Sequence, residues 1–399
     1  MYFRIIYSTF ARHKRLLDYN KQKMDCLNER HINKIAAYVK GGFDTPDYYR
    51  IHQYLEAIDD IKVTYHLMLP RKLYQKYVPI RKNGYLVVMI LFLLVYLRTV
   101  WALLNDTIFP PDFLIINRRI MPRKALFPVW TLIRIIKKRQ KTRIIWDFDD
   151  DIVSMGECSA EDFQFMSLFS HHIIVTHKHL ASLVDKKFEN KVHILPTTDG
   201  DLFKLFLNQE INVHRKALLK HDVILVWLAT SANLPFLESV INQLDETAQV
   251  INDKLQKRLI LKVVCNAPLI HECKNLVVEN IRWSKTSAIE SLKHAHIGIM
   301  PLKNTEIARG KGGFKLVQYM SIGLPCIGTD VGFNNSVINV TFGRLVPADN
   351  LTRWTEAILE LSDECHWDEY SRNAYKTWEN DFPFEKNLLF WKNLLLKRQ

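Results

Sequence analysis

The sequence predicts an α/β protein made of two doubly wound domains that face each other across a central cleft. Short apolar strands alternate with helical stretches along most of the chain, which is typical of parallel sheets covered by helices on both faces. The alternation is interrupted once, between Pro196 and His221, where we expect the hinge. At 399 residues the chain is also too long for one hydrophobic core.

The first domain is predicted over residues 31–205. Pro46 is well placed to begin the helix after the first strand, because proline fits the first helical turn. Residues 1–30 are polar and basic without clear periodicity, and we expect them to form an N-terminal extension outside the fold. The predicted strands are short apolar runs bounded by polar residues, at 31–39, 61–66, 113–117, 143–147, 172–176 and 191–195.

The second domain is predicted over residues 206–375 and repeats the same alternation. The segment after it, residues 376–399, contains a helical stretch that we expect to cross back to the first domain. Two such domains leave a cleft at the carboxyl ends of their strands, where folds of this kind bind ligands. The predicted strands of this domain are 222–228, 258–265, 275–278, 296–300 and 324–329.

Positive charge is concentrated in one segment of the first domain. The whole chain has 55 Lys and Arg residues against 42 Asp and Glu, a formal net charge of +13. Residues 61–146 contain 17 of the basic residues and two acids, Asp106 and Asp112, which leaves 38 basic and 40 acidic residues elsewhere. A local basic surface indicates a polyanionic partner, namely anionic lipid, nucleic acid or a phosphorylated substrate.

The same segment contains an uncharged apolar run, residues 85–97, which Arg98 ends. A membrane-spanning helix needs about 20 apolar residues, so a buried helix, an interfacial helix and a true span are all open interpretations. An apolar run beside basic clusters favours a membrane surface, and the sequence has no helix-turn-helix or aromatic RNA-binding pattern. We therefore expect an anionic membrane surface as a partner, and no nucleic acid.

The cysteines indicate a reducing compartment. The six are scattered without a C-x-x-C pair, which argues against a zinc site and against a disulfide framework. The first residues have no apolar stretch of the signal-peptide type. We expect a cytoplasmic protein, peripheral at the inner face of a bacterial cell membrane.

The most informative stretch is the basic glycine loop, residues 309–315, which precedes a predicted helix. It contains the cations Arg309, Lys311 and Lys315 beside a pair of glycines. Glycines let a ligand approach the backbone, and a helix N-terminus offers free N–H groups and a partial positive charge. Cations at that end oppose the helix macrodipole unless an anion is bound. The loop therefore predicts a phosphate or diphosphate site in a nucleotide-binding α/β unit.

Five stretches of the second half carry a family resemblance: 226–232, 282–286, 297–302, 309–325 and 330–334. Through them the chain resembles the donor-binding domain of glycosyltransferase family 4, of the "glycosyl transferases group 1" type, whose members have the GT-B architecture of two Rossmann-like domains. The resemblance is strong over 222–360 and weaker but continuous over 31–200. It implies transfer of a sugar from a UDP- or GDP-sugar, with retention of configuration and without a tightly bound metal or cofactor.

On this resemblance the basic glycine loop holds the donor. Arg309, Lys311 and Lys315 would act as the catalytic cations, because fixed cations stabilise the charge that develops on a leaving diphosphate. Gly312 and Gly313 would let the diphosphate approach the backbone.

Other predicted donor contacts include one departure from the family pattern. Gln318 stands where the family usually has Glu to bind the ribose, and Gln cannot supply a charged bidentate acceptor. The usual acid eight residues earlier falls on Gly310, and Glu306 is the nearest acid. The remaining predicted contacts, which helix capping or simple burial would also explain, are Thr230, Ser231, Asn233 and Trp283.

The acceptor is predicted to bind at the strand ends of the first domain. The acids at 147–151 also suit a D-x-D metal site or a helix cap, but a second device that neutralises phosphate would be redundant, so we predict no metal. Asn117 cannot act as a base, which favours a substrate-assisted front-face mechanism. The predicted acceptor contacts are Gly41, Gly42, Asn117, Arg119, Asp147 and Asp149.

Taken together, these features predict a glycosyltransferase of the hexosyltransferase type. It would move a sugar to a lipid-linked or saccharide acceptor during the assembly of a capsule, O-antigen or exopolysaccharide. Two alternatives stay open: a sugar-nucleotide epimerase on the same fold, and a catalytically degenerate protein that acts as a binding partner. The departures at Gln318 and Gly310 motivate the second alternative.

Overall fold

The computed structural model describes residues 32–41, 47–77 and 83–396. These residues form two six-stranded sheets in which every strand pair is parallel, with helices between most successive strands. The fold is therefore the predicted α/β fold of two doubly wound domains. The predicted extension over residues 1–30 and the predicted site residue Gly42 lie outside the described residues.

The first sheet contains the six strands predicted from the apolar runs. They are β1 (Asn33–Val39), β2 (Ile61–Leu67), β3 (Phe113–Asn117), β4 (Arg143–Phe148), β5 (His172–Val175) and β6 (Val192–Ile194). Their spatial order is β2-β1-β3-β4-β5-β6. A π-helical turn, Tyr48–His52, precedes α1 and a 3-10 turn, Lys186–Lys191, precedes β6. The helices are α1 (Gln53–Leu55), α2 (Arg71–Tyr77), α3 (Tyr85–Ile108), α4 (Phe127–Lys138), α5 (Ala160–Phe169) and α6 (Lys178–Ser182).

The second sheet follows the hinge region, which contains α7 (Phe203–Phe206) and α8 (Gln209–Leu219). Its strands are β7 (Asp222–Ala229), β8 (Arg258–Cys265), β9 (Val277–Arg282), β10 (Ile297–Met300), β11 (Cys326–Thr329) and β12 (Gly343–Val346). Their spatial order is β12-β11-β10-β7-β8-β9. A 3-10 turn, Ser231–Asn233, follows β7. The helices are α9 (Leu234–Glu238), α10 (Ile241–Leu255), α11 (Lys285–Lys293), α12 (Glu306–Arg309), α13 (Phe314–Ser321), α14 (Phe333–Val337), α15 (Arg353–Leu361), α16 (Trp367–Asp381) and α17 (Phe384–Leu396).

Two edge strands of the second sheet differ from the prediction. Strand β9 begins two residues later than predicted and ends at Arg282, and most of its side chains are exposed or half-buried because it lies at the sheet edge. Strand β12 was not predicted, since it has four residues including Arg344 and therefore lacks a clear apolar run. The central strands were easier to predict because helices cover both of their faces, as in the fully buried β3.

Helix α3 is longer than the predicted apolar run, because it continues through Arg98 to Ile108. One face contributes Leu91, Val95 and Leu103 to the core of the first domain. Among the described residues it is the one helix long and apolar enough to cross a membrane. The mean hydropathy of its most apolar 18-residue stretch is 2.4, and 28% of that stretch is buried. It is therefore neither a plain buried helix nor a helix free of the domain.

The last helix, α17, packs against the first domain. Trp391 and Leu395 are buried in the same cluster as Ile35 and Ile115 of that domain. The Asn387 amide donates hydrogen bonds to the Pro196 carbonyl, at 2.7 Å, and to the Tyr54 hydroxyl, at 3.1 Å. The chain thus crosses between the two domains twice.

Candidate active site

The candidate site lies where the carboxyl ends of the two sheets meet. The second domain contributes the basic glycine loop, which runs from the end of α12 into α13. The first domain contributes the acidic loop, residues 149–151, which directly follows β4. The Asp151 N–H donates a 3.0 Å hydrogen bond to the Gly310 carbonyl, so the two loops are in direct contact.

Glycine is required on the second-domain side of this contact. Gly313 begins α13 with a φ of 65°, and a Cβ there would lie 1.8 Å from the Phe333 ring. A Cβ on Gly312 would lie 2.2 Å from the Asp149 carbonyl oxygen. Both glycines were predicted to admit a ligand to the backbone. In this structure Gly312 makes room for Asp149 of the first domain, and Gly313 makes room for the Phe333 ring of the second domain.

Lys315 has no ion-pair partner among the described residues of the cleft. Its ammonium lies 5.9 Å from the centre of the Trp227 ring, and no carboxylate of the described residues lies within ion-pair distance. Burial, with a further contribution from Lys311, lowers the pKa of Lys315 to about 8. A half-buried cation without a counter-ion is unfavourable, which makes this position suitable for an anionic ligand.

Arg309 is engaged by neighbours on α12 and in the loop just before it. Its guanidinium donates to the Glu306 carboxylate at 2.6 Å and to the Asn304 amide oxygen at 2.9 Å, and its side chain is 43% exposed. Exposed pairs of this kind are weak, so a ligand can displace them at little cost. The catalytic role of Arg309 and the donor contact of Glu306 stay predictions, and both would require this pair to open.

Lys311 faces a carboxylate of the first domain. The Lys311 ammonium lies 3.9 Å from Asp150 Oδ2, and the Gly312 N–H donates a 3.0 Å hydrogen bond to Asp150 Oδ1. Burial alone would raise the pKa of Asp150. The pKa of Asp150 is nevertheless well below its ordinary value, because Lys311, Arg118 and the Gly312 N–H stabilise the charged carboxylate. Asp150 is therefore ionised, and it lies where the basic glycine loop was predicted to bind a phosphate.

Arg118 organises the acidic loop. Its guanidinium contacts Asp149 at 2.6 Å, Asp150 at 2.6 Å and Glu157 at 3.4 Å. Its backbone has a φ of 58°, which is uncommon outside glycine and often found at functional sites. Neither Arg118 nor Asp150 was among the donor and acceptor contacts predicted from the sequence. The only local signal was an Arg-Arg pair at the end of one strand and an acidic run at the end of the next.

Two predicted acceptor contacts, Asp147 and Asn117, need correction. Asp147 is fully buried, and the guanidinium of Arg50 binds its carboxylate through Nε and Nη2. The Asn117 amide donates to the same carboxylate at 2.8 Å and is itself 1% exposed. Neither side chain faces the cleft, so these residues hold the ends of β3 and β4 together. Sequence reasoning missed Arg50, which lies 97 residues from its partner.

The remaining acceptor predictions are placed as follows. Asp149 forms a bidentate pair with Arg118, and Arg119 contacts Glu157 at 2.6 Å. Gly41 donates its N–H to Asp47 at 3.0 Å and packs beneath the ring of Tyr74. These residues line the strand ends of the first domain, but each already has an internal partner.

The donor predictions outside the basic glycine loop form two groups. Thr230, Ser231 and Asn233 close the turn after β7, where the Ser231 N–H donates to Asn266 at 2.7 Å. Trp283 is half-buried against the core of the second domain, which agrees with the simpler interpretation of burial.

Gln318 of α13 reaches the hinge rather than solvent. Its amide donates to Asp199 Oδ2 at 3.3 Å, and burial raises the pKa of Asp199. A Glu at position 318 would place a second carboxylate against Asp199. Gln at position 318, where the family usually has Glu, therefore avoids repulsion between two carboxylates.

The acids of the cleft are used in ion pairs and turns. Asp151 accepts the N–H groups of Val153 and Ser154 and so starts the turn after the acidic loop. Across the described residues, no group of three or more His, Cys, Asp or Glu side chains is arranged to hold a metal ion.

Part of the chain is similar in sequence to a known protein family. Residues 236–364 match the family model "Glycosyl transferases group 1". No curated protein matches the chain by sequence.

Three solved structures are similar to both domains together. HepE of Anabaena, in complex with UDP and glucose, has a TM-score of 0.62 at 9% identity, over 92% of this chain and 100% of its own. A sucrose-phosphate synthase from Thermosynechococcus elongatus has a TM-score of 0.58 at 12% identity, over 91% and 98%. A glycosyltransferase from Rickettsia africae has a TM-score of 0.58 at 11% identity, over 92% and 100%. At such identities the likeness shows the fold, which is the GT-B fold.

Proposed function

We propose that the chain is a glycosyltransferase of the group 1 type, and that it transfers a sugar from a nucleotide-diphosphate donor held by the second domain to an acceptor held by the first. The observation that carries the proposal is Lys315, a half-buried cation for which no described carboxylate provides a counter-ion. A donor diphosphate would supply that counter-ion. HepE was solved with UDP, which supports a uridine donor as the first candidate.

The basic glycine loop would stabilise the leaving group. As the bond between the sugar C1 and the phosphate oxygen breaks, negative charge grows on the departing diphosphate. Lys311, Lys315 and the Gly312 N–H are fixed donors at the start of α13. Fixed donors of this kind stabilise developing charge without reorganising. Two lysines and a helix N-terminus would do the work that a divalent metal does elsewhere, which supports metal-independent transfer.

We propose that transfer retains the configuration of the sugar, because the carboxylates of the acidic loop are already engaged and none of them is free to act as a base. In the acidic loop Asp149 and Asp150 are ion-paired, and Asp151 is used in a turn. We infer that the acceptor hydroxyl attacks from the face that the diphosphate leaves. Its proton then passes to the leaving phosphate oxygen while the new bond to C1 forms. This front-face path needs no carboxylate nucleophile.

The acceptor is proposed to be presented at a membrane, and the observation is the outer stripe of α3. Its side chains lie three or four positions apart and therefore on one helix face, opposite the buried face. Each is at least 42% exposed. The stripe consists of Leu86, Ile90, Leu93, Leu97, Trp101, Leu104 and Ile108.

Charge and packing favour an interfacial position for α3. Exposed cations, including Lys72, Lys76, Arg98 and Lys138, belong to the segment that carries the excess positive charge. Two copies of this surface would repel each other, whereas an anionic leaflet attracts it. Asp106, near the end of α3, is buried and accepts the Tyr38 hydroxyl at 2.6 Å. A spanning helix would have to pull this residue out of the core, so we propose that α3 lies in the membrane plane.

These elements together define the proposed role. The protein would act at the cytoplasmic face of the cell membrane, on a lipid-linked or saccharide acceptor of surface polysaccharide assembly. A protein that binds the donor without turnover is the second candidate, because Asp150 occupies the basic glycine loop and Gln318 is bound to Asp199. Incubation with donor alone would reveal an epimerase by the appearance of an isomer.

The test is nucleotide binding by calorimetry and by thermal shift. We expect one of UDP, GDP, ADP or CMP to bind without Mg²⁺, and a ligand at 100 times its Kd to stabilise the fold by about 2.7 kcal/mol. Lys315→Ala should weaken that binding at least tenfold. The matched control is Lys216→Ala, which removes an exposed lysine paired with Asp368.

Both outcomes of the binding test are informative. Equal binding by Lys315→Ala and wild type would remove the donor assignment. Binding without any transfer to extracted membrane lipids or oligosaccharides would favour the non-catalytic candidate.

A further inference from the structure

The basic glycine loop already binds an anion in this structure, and that anion belongs to the protein. Asp150 Oδ1 accepts the Gly312 N–H at 3.0 Å, immediately before α13 begins. Its other oxygen lies 3.9 Å from the Lys311 ammonium. A carboxylate that accepts a backbone N–H at a helix start and faces a lysine makes the contacts that a phosphate oxygen would make there.

The close fit of the two loops indicates that this contact is built in. Gly310 allows it, because a Cβ at that position would lie 2.3 Å from the Cβ of Asp151. The Asp151 N–H donates to the Gly310 carbonyl at 3.0 Å, so a main-chain hydrogen bond also joins the loops. On the first-domain side, Arg118 Nη2 lies 2.6 Å from Asp150 Oδ2. This ion pair keeps the carboxylate in position against the second domain.

The Asp150 carboxylate neutralises only part of the positive charge of the basic glycine loop. Asp150 approaches Lys311 and Gly312, but Lys315 remains outside ion-pair distance of every described carboxylate. A diphosphate has more oxygens and more charge than one carboxylate, so it can engage both lysines where Asp150 engages one. Asp150 therefore fills only part of the site that a diphosphate would fill.

We propose that Asp150 is a residue that sets donor affinity: its carboxylate occupies a donor phosphate position, and the diphosphate must displace it in order to bind. This inference rests on the proposed donor site. Displacement would break the contacts of the Asp150 carboxylate with Gly312 and Lys311, so donor binding and these two contacts exclude each other. Arg118 would keep Asp149 and Glu157 as partners after Asp150 has left.

The experiment measures the Kd of uridine diphosphate and of inorganic pyrophosphate by calorimetry for four proteins: wild type, Asp150→Asn, Asp149→Asn and Lys315→Ala. Asp149 is the matched control, because it carries the same charge one residue away and pairs with Arg118, but its side chain makes no hydrogen bond to the basic glycine loop within the described residues. Asp150→Ser serves as a second variant should the Asn protein melt early.

We expect Asp150→Asn to bind both ligands about tenfold more tightly than wild type, because a charge-assisted contact no longer competes. Asp149→Asn should change Kd less than threefold. Binding by Asp150→Asn but not by wild type would also support the inference. Equal tightening in both Asn variants would overturn it, because the effect would then be one of overall charge.

Two further outcomes separate this inference from the donor site itself. Unchanged or weaker binding by Asp150→Asn, with Lys315→Ala also weakened, would overturn the inference and leave the donor site standing. Weaker binding would mean that Asp150 touches the ligand. If no protein bound either ligand, both the donor site and this inference would fall.

Discussion

The two domains leave different groups without internal partners. The first domain pairs most of its charges near the strand ends internally, as in the buried pair of Arg50 with Asp147 and the pair of Arg118 with Asp149 beside the cleft. On its outside it leaves an apolar stripe on α3 uncovered. The second domain leaves a cation, Lys315, without a described counter-ion inside the cleft. The groups left uncovered, rather than the groups already paired, indicate where a membrane and a diphosphate would bind.

The largest expected effect comes from breaking the buried pair of Arg50 with Asp147, which we regard as structural. Arg50→Ala would leave Asp147 buried without its cation, which costs about 3–5 kcal/mol of unfolding free energy. Urea unfolding followed by circular dichroism measures the loss. Lys216→Ala, which opens an exposed pair with Asp368, should cost less than about 1 kcal/mol. A loss of activity in a fully stable Arg50→Ala protein would instead make this pair part of the site.

The unpaired cation predicts a pH dependence of donor binding. Lys315 has a pKa of about 8 in the free protein, and a bound diphosphate would raise it. Affinity is then full below pH 8 and falls as the pH rises above that value, by up to tenfold per unit. The charged or titratable groups around Lys315 are Lys311, Asp150 and Cys265, and burial raises the pKa of that thiol, so it stays protonated here.

Calorimetry with UDP between pH 7 and pH 9 measures this dependence. Lys315→Arg is the control, because a guanidinium keeps its charge over that range. Its affinity should fall less than that of the wild type. Parallel pH profiles in the two proteins would assign the titration to another group.

The smallest expected effect concerns the apolar stripe. Replacing Leu93 and Leu97 with Glu should reduce co-sedimentation with vesicles containing anionic phosphatidylglycerol several-fold, because each substitution removes apolar contact and adds repulsion. Ile270→Glu is the control, since Ile270 is 88% exposed on the second domain. Equal binding by all three proteins would show that the stripe has no contact with lipid. Binding unaffected by high salt would argue against the role of the basic segment.

The fold was predictable from the sequence because its central strands are covered on both faces. Strand β3 is buried at every position, so its apolar run is visible without knowledge of its neighbours. The basic glycine loop was likewise predictable, since its glycines and lysines are consecutive in the chain.

Other parts of the site could not be read from the sequence. Asp147 resembled a cleft residue until the structure placed Arg50 beside it, 97 positions away in sequence. The partner of Gly312 is an acid 162 positions earlier. Local patterns identify charged residues at strand ends, but only the folded chain determines which of them neutralise each other.

The last helix has a consequence for how the molecule is made. The core of the first domain includes Trp391 and Leu395, and the Asn33 amide donates to the Leu395 carbonyl. During synthesis the ribosome releases these residues only after the whole second domain has emerged. The first domain therefore remains incomplete through most of translation, and its closure depends on contacts of very large sequence separation, which form slowly. The first domain therefore begins the chain, but its core is completed only after the second domain has been synthesised.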